Sequence, residues 1–141
     1  MSSPSQPPTY TVLVYGQREQ VRVDVRTAIG RRLGGGVGRI EYVECTDVDA
    51  LLRLIDAGGI DVAILDGEAQ PTGGMGISRQ LKYEIADCPS VCVLIARADD
   101  RWLATWSLAD ATLVYPLDAL TAAHTMTELV RQRAAGTPVR R

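Results

Sequence analysis

Hydrophobic residues along the chain fall into five short runs, and each run is followed by a stretch with apolar residues at every third or fourth position. Short continuous runs are typical of buried strands, whereas the wider spacing is typical of helices with one apolar face. The predicted strands are residues 11–16, 39–45, 60–65, 91–96 and 112–116. Strict alternation of strand and helix predicts an α/β fold, in which a five-stranded parallel sheet carries helices on both faces.

Helix boundaries are indicated by capping residues and glycines. Thr46 or Asp47 can cap the start of the second helix and Gly58 can end it, while Asp118 can cap the last helix. The first helix is predicted to end at glycines 34–36. Its apolar stripe is Val21, Val25, Ala28, Ile29 and Leu33. The stripe of the last helix is Ala119, Ala123, Met126 and Val130.

The chain has 141 residues, of which 46% are hydrophobic, and this suits one domain with a real core. We expect a disordered N-terminal segment (1–10), a domain (11–133) and a basic C-terminal tail (134–141). No apolar run approaches the roughly 20 residues of a membrane span, and the N-terminus lacks the features of a signal peptide. Cytoplasmic location is therefore the default expectation. Three cysteines without a CxxC pair indicate neither a disulfide framework nor a zinc site.

Charge is distributed unevenly. The formal net charge is -2, but no acidic residue follows Glu128, and the last segment carries four arginines. These are Arg131, Arg133, Arg140 and Arg141. The rest of the chain is acidic, which disfavours nucleic acid as a partner because phosphate binding requires a basic surface. The tail is either a solvated terminus or a tether to an acidic surface of a partner protein, with Arg140 and Arg141 as candidate contacts.

In an open parallel sheet, ligands bind at the carboxyl ends of the strands. The residues at those ends are therefore the candidates for chemistry. The first strand ends at Gly16 and Gln17, the third at Asp66, the fourth at Ile95 and the fifth at Tyr115. No hydrolase constellation or metal-ligand spacing occurs elsewhere, so we expect neither enzymatic activity nor a metal or cofactor.

Five strand–helix units, an aspartate closing the third strand, a Pro–Gly loop leading to GMG, and a fifth strand ending before proline resemble the receiver domain of bacterial two-component response regulators. The likeness covers Thr11 to about Arg133. It implies a flavodoxin-like fold and a phosphoacceptor aspartate. It also implies a Mg²⁺ held by two acids after the first strand, a Ser or Thr after the fourth strand, and a Lys before the proline of the fifth.

Only one of these reactive side chains has a counterpart here. Asp66 matches the phosphoacceptor, but the acid pair falls on Gly16 and Gln17, with Tyr15 as an alternative register, and none of these is charged. The hydroxyl falls on Ile95 and the lysine on Tyr115. Phosphoryl transfer depends on positioning and on neutralising charge, so these replacements predict an inactive, degenerate receiver in which Asp66 is a structural carboxylate.

Two alternatives stay open at this stage. Glu19 or Glu68 could act as a substitute metal ligand, which would make the protein a working regulator phosphorylated at Asp66, with a sensor histidine kinase as partner. The other alternative is a small-ligand module that uses the strand-end crevice with Asp66, Tyr115 and the loop at residues 73–76.

Large aromatic residues cluster in the fourth repeat, where the helix is predicted to carry Trp102, Trp106 and Ala109. Receivers signal through the face made by their fourth helix, fifth strand and fifth helix, which would include Tyr115. Tryptophan and tyrosine are frequent anchors of protein interfaces. We expect at least one exposed aromatic residue here, although Trp106 is expected to cover the sheet.

A closer resemblance rests on GGMGISRQLK, WLATWSLADA and GIDVAILDGEA. These segments are similar to those of orphan, atypical response regulators of actinobacteria that are associated with the proton-pumping NADH dehydrogenase, respiratory complex I. The resemblance implies an accessory, regulatory subunit that binds complex I subunits on the cytoplasmic arm without phosphotransfer. It would then be peripheral at the inner face of the plasma membrane through that complex, without inserting into the membrane itself.

Overall fold

One six-stranded sheet organises the computed structural model of the protein, which describes residues 8–68, 73–85 and 87–134. The strands are β1 (Thr9–Tyr15), β2 (Arg32–Leu33), β3 (Gly38–Cys45), β4 (Val62–Asp66), β5 (Ser90–Ile95) and β6 (Ala111–Val114). The helices are α1 (Glu19–Ile29), α2 (Val48–Ala57), α3 (Gly74–Glu84), α4 (Arg101–Trp106) and α5 (Ala119–Ala134). The strand order is β2-β3-β1-β4-β5-β6.

The five longer strands are parallel, which confirms the predicted α/β fold with helices on both faces of the sheet. The prediction of five strands was one too few. The additional strand is β2, which pairs antiparallel with the start of β3 through only two residue pairs. β3 therefore lies near an edge of the sheet, between the short β2 and β1.

The additional strand can form because α1 ends at Ile29, before the predicted end at glycines 34–36. Gly30 follows α1 with φ of +80°, a left-handed conformation that L-residues rarely adopt, so the helix ends there and not at glycines 34–36. Leu33 was assigned to the helical stripe, but it lies in β2, where its side chain is buried.

The first strand also differs from the prediction, since β1 begins at Thr9 and includes Tyr10. Both residues were assigned to the disordered segment. Thr9 pairs with Arg39 and Tyr10 with Ile40 of β3, and the Tyr10 side chain is buried in the core. Residues 1–7 of that predicted segment lie outside the described ranges, as does the predicted tail beyond Ala134.

The sheet separates two hydrophobic clusters, and alternate residues of each strand supply them. Val12 and Val14 of β1 face the cluster that contains α1 and α5. Leu13 and Tyr15 face the cluster that contains α2 and α3. Every residue of the central strand β4 is buried, as expected for a parallel strand covered on both faces.

The predicted caps of two helices are confirmed. The backbone N–H of Ala50 donates to the Asp47 carboxylate at 2.8 Å, and Gly58 follows the end of α2. The backbone N–H of Thr121 donates to Asp118 at 2.8 Å.

The predicted apolar stripe of α5 was partly wrong, because the helix is rotated so that Ala119 is exposed. Its buried residues are Ala122, Met126, Leu129 and Val130.

The three cysteines are buried and free. Burial raises the pKa of the Cys92 thiol to about 12 and that of Cys45 to about 11, so both remain protonated at neutral pH.

In the described part of the chain, no helix is long and apolar enough to cross a membrane.

Candidate receiver site at the strand ends

Four parallel strands bring the candidate residues to one end of the sheet. Asp66 ends β4, Ile95 ends β5, Tyr115 follows β6, and Gly16 follows β1. A cavity of about 220 Å³ opens there. Its walls include Arg18, Asp66, Glu68, Ile95, Ala96 and Tyr115. This volume is below the roughly 300 Å³ at which most small-molecule sites begin, so the cavity suits a group of only a few atoms.

Asp66 is the centre of this site, and its side chain is only 2% exposed. One carboxylate oxygen, Oδ1, accepts a hydrogen bond from the backbone N–H of Glu68 at 2.9 Å. The other, Oδ2, accepts a hydrogen bond from the Arg18 guanidinium at 3.1 Å and forms an ion pair with it. Both oxygens therefore have protein partners, and the charge of the buried carboxylate is balanced within the chain.

Arg18 is the site residue that the sequence reasoning missed. It lies one residue before α1, and the backbone carbonyls of Gly16 and Gln17 in the same loop accept hydrogen bonds from Arg22 at 2.6 and 3.1 Å. Arg18 thus sits on a braced loop that follows β1. A signal was present, because a cation follows directly on the two positions where the family would carry acids.

The loop after β1 is also close to Asp66 through Gly16. A Cβ atom at Gly16 would lie 3.1 Å from the Asp66 Cβ and 3.3 Å from Oδ2, so glycine permits this approach. Gln17 is exposed and its side chain hydrogen-bonds with that of Tyr15. Neither residue offers a carboxylate to the site.

The family implies a Mg²⁺ ion beside the aspartate, and the side chains present do not fit one. Mg²⁺ requires oxygen ligands at near-octahedral positions and is usually held by one or two carboxylates. Here the guanidinium of Arg18 is bonded to the one carboxylate at the centre of the site. Among the described residues, no group of three or more His, Cys, Asp or Glu side chains could hold a metal ion.

Tyr115, at the lysine position, hydrogen-bonds away from Asp66. Its hydroxyl donates to Oδ2 of Asp24 on α1, and its backbone N–H donates to the carbonyl of Ile95 at 2.8 Å. The Ile95 side chain is buried. The peptide bond between Tyr115 and Pro116 is cis. Through its hydrogen bond to Asp24, the Tyr115 hydroxyl connects the segment after β6 with α1.

This connection predicts a pH dependence of stability. The hydrogen bonds from Tyr115 and then Gln20 lower the pKa of Asp24 from its ordinary 3.8. A lowered folded-state pKa contributes stability above pH 3.8 that is lost as the pH falls through the folded value. Urea unfolding of wild type and Tyr115→Phe between about pH 5 and pH 3 should show a steeper loss in the wild type. Parallel curves would contradict the connection.

The exposed aromatic residues lie between α3 and α4. Trp102 is 68% exposed and Trp106 is 50% exposed, so the expectation that Trp106 covers the sheet was wrong. The Arg79 guanidinium lies 4.7 Å from the Trp106 ring centroid and 5.0 Å from that of Tyr83, and it donates to the Trp106 carbonyl at 2.7 Å. Tyr83, Arg79 and Trp106 therefore form one stacked group, which we call the aromatic cluster.

The aromatic cluster lies between α3 and α4, and not on the face that was predicted to include Tyr115. The α4 helix has only six residues, and Leu108, two residues beyond it, has φ of +64°, so the predicted continuation to Ala109 does not form. Tyr115 hydrogen-bonds with α1 and is not part of the aromatic cluster. The other interface candidates, Arg140 and Arg141, lie outside the described residues.

The fold and the strand-end aspartate define a receiver domain, and similarity to known proteins agrees with this. The chain is 47% identical over 123 residues to a response regulatory protein of Mycobacterium tuberculosis, covering 87% of this chain and 92% of that protein. The chain therefore belongs to the receiver-domain proteins of the response-regulator family. No family model matches it.

Solved structures with low sequence identity share the fold. One is the response regulatory domain of protein mrkE from Klebsiella pneumoniae, with a TM-score of 0.72, 13% identity and coverage of 89% of this chain and 98% of that one. Another is the receiver domain of Ssk1 from Saccharomyces cerevisiae, solved with the histidine phosphotransfer protein Ypd1. Its TM-score is 0.74, its identity 14%, and the match covers 90% of this chain and 92% of the solved chain.

Proposed function

We propose that this protein is a pseudo-receiver, which acts by binding another protein and not by accepting a phosphoryl group. The observation that carries the proposal is the ion pair between Arg18 and the buried Asp66 carboxylate at 3.1 Å. In a working receiver, the carboxylate must attack phosphorus while a metal ion and a lysine neutralise the transferring group. Here its negative charge is already compensated by a side chain of the same domain.

The surroundings of Asp66 support the same reading. Phosphorylation at Oδ2 of Asp66 would have to displace Arg18. Phosphorylation at Oδ1 would have to displace the hydrogen bond that this oxygen accepts from the N–H of Glu68. Ile95 has no hydroxyl with which to sense a phosphoryl oxygen, and the Tyr115 hydroxyl is directed to Asp24. The arrangement resembles a receiver in which an internal cation has replaced the metal ion, so that the domain keeps its shape without modification.

We further propose that the partner is the proton-pumping NADH dehydrogenase, with the protein docked as an accessory subunit on its cytoplasmic arm. Support comes from the resemblance of residues 59–69, 73–82 and 102–111 to the actinobacterial proteins associated with that complex. The relative from Mycobacterium tuberculosis, an actinobacterium, is consistent with such an origin. Trp102 and the aromatic cluster supply a candidate docking surface, because exposed tryptophans in a rigid setting are typical interface anchors.

A phosphorylatable regulator is the second candidate, and one observation favours it. Asp66 borders a cavity of about 220 Å³, which is large enough for a phosphoryl group, and Arg18 could neutralise part of its charge. In this reading, the partner would be a histidine kinase or a phosphotransfer protein.

Beryllium fluoride with Mg²⁺, a phosphoryl analogue, separates the two candidates. The pseudo-receiver predicts no change in melting temperature, because Asp66 cannot assemble the metal–fluoride complex beside Arg18. A ligand present at 100 times its Kd would stabilise the fold by about 2.7 kcal/mol and give a clear shift. The matched control is Asp66→Asn, which removes the acceptor. A shift in the wild type that is absent in Asp66→Asn would establish the phospho-switch instead.

A further inference from the structure

The outer edge of β3 is open over most of its length. β2 pairs only with Gly38 and Arg39, and the carbonyl of Arg31 accepts a hydrogen bond from the N–H of Ile40 at 2.7 Å. Beyond that point, no described strand lies on this side of β3. Among the described residues, 41–45 therefore form an edge without a neighbouring strand, over a length of about 16 Å.

The backbone groups that this edge presents can be assigned from the register. The N–H of Arg39 donates to the carbonyl of Pro8, on the β1 side, whereas the N–H of Ile40 points to the outside. Because the direction alternates along a strand, the backbone groups of Tyr42 and Glu44 also point outward. Two N–H groups and their carbonyls are thus available to an additional strand.

A groove accompanies this edge. A cavity of about 650 Å³ lies along it, bounded by Arg26 and Thr27 of α1, by Arg31, and by Ile40, Glu41, Tyr42 and Glu44 of β3. Glu44 pairs with Arg22 at 2.8 Å and with Arg26 at 3.0 Å, so its carboxylate is already neutralised. The volume of the groove leaves room for the side chains of an added segment.

The charge of the edge selects the kind of segment. Arg31, Arg32 and Arg39 are exposed and, among the described residues, their side chains have no hydrogen-bond or ion-pair partner. Arg32 and Arg39 are directly opposite each other in the β2–β3 pairing, an unfavourable contact between like charges that an anion would relieve. Even with Glu41 beside them, these three arginines leave a local surplus of positive charge, in contrast with the net charge of -2 of the whole chain.

We propose that the open edge of β3 binds an extended, acidic segment of a partner protein by strand addition. The segment's backbone bonds to the outward groups of Tyr42 and Glu44, and its carboxylates contact Arg31 and Arg32. The chain's own C-terminal residues do not suit this site, because they are basic. The inference deepens the proposed function, since it names the chemistry of a segment that a docked partner contributes.

The test begins with a phage-displayed library of random twelve-residue peptides, selected on the purified full-length protein. Selected peptides should be rich in Asp and Glu alternating with apolar residues. A synthetic copy of the most enriched peptide then serves as the probe, with Kd measured by fluorescence anisotropy. On binding, amide hydrogen exchange should slow at Tyr42 and Glu44. Enrichment of neutral or basic peptides, or the absence of any enrichment, would overturn the proposal.

Two pairs of variants locate the binding. Glu44→Pro removes both the carboxylate and the outward N–H of this residue. An edge strand tolerates proline where the N–H is not bonded within the sheet, so the variant should fold. Glu44→Ala removes the carboxylate but keeps the N–H. We expect at least tenfold weaker binding for the proline variant than for the alanine variant. The double variant Arg31→Glu with Arg32→Glu should also lose at least tenfold, while Arg101→Glu, on α4, should bind normally.

Equal binding by both members of each pair would contradict the inference. So would a dimer in sedimentation equilibrium that Glu44→Pro dissociates, because a second copy would then occupy the edge. These outcomes are independent of whether NADH dehydrogenase is the partner, since the probe is a synthetic peptide. Failure of strand addition is thereby distinguished from failure of the proposed function.

Discussion

Lys82→Met is expected to lower the free energy of unfolding by roughly 3 kcal/mol, as removing one partner of a buried ion pair does. Lys82 is the only lysine, and its side chain is just 5% exposed. Its Nζ lies 2.6 Å from Oδ2 of Asp110, which is 11% exposed and also accepts the N–H of Val91 at 2.8 Å. The pair fastens α3 to the start of β5 and β6.

The loss arises because the Asp110 carboxylate remains buried without its cation. Urea denaturation measures it, and the double variant Lys82→Met with Asp110→Asn should regain a large part, since a neutral amide can still accept the Val91 N–H. Arg53→Met, at an exposed position of α2, is the control and should change stability by less than about 0.5 kcal/mol. A similarly small effect for Lys82→Met would show that the pair is not structurally important.

The second large effect is expected on partner binding, at the two exposed tryptophans of α4. Replacing Trp102 and Trp106 together by alanine should weaken binding to the proposed partner, the NADH dehydrogenase, by about 30-fold or more, the loss typical of an interface hot spot of about 2 kcal/mol. Trp106 is held by Arg79 through both its ring and its carbonyl, so little side-chain freedom is lost on binding. The fold should be unaffected, because both rings are at least half exposed.

Affinity purification from the native host, in a gentle detergent, measures this loss as the ratio of dehydrogenase subunits to bait. The matched control is Leu120→Ala, which removes an apolar side chain that is 83% exposed on α5, outside the aromatic cluster. We expect this variant to co-purify like the wild type. Equal recovery with the tryptophan variant would exclude the α3–α4 surface as the docking site.

The parallel sheet could be predicted from sequence because each central strand is a continuous apolar run covered on both faces. The same reasoning located Asp66, since an aspartate at the end of such a run must lie at the carboxyl edge of the sheet. The end of α1 was misplaced because the helical spacing continues to Leu33, whereas the backbone leaves the helix at Gly30. Periodicity does not register a single left-handed residue.

Contacts distant in sequence were beyond such reasoning. Arg18 and Asp66 are 48 residues apart, and Tyr115 and Asp24 are 91 apart, so only the folded sheet brings them together. The exposure of Trp106 was missed for a local reason. Its helix has six residues, and the apolar spacing suggested a longer one with a buried face.

Docking of the protein is expected to be independent of phosphorylation, and affinity purification with two baits measures this. The wild type and Asp66→Asn, each tagged at the N-terminus, are purified from the native host and the bound proteins are quantified by mass spectrometry. We expect subunits of the NADH dehydrogenase in near-stoichiometric amounts with both baits. Recovery of only a histidine kinase, or recovery that depends on Asp66, would contradict it and establish the aspartate as a working phosphoacceptor.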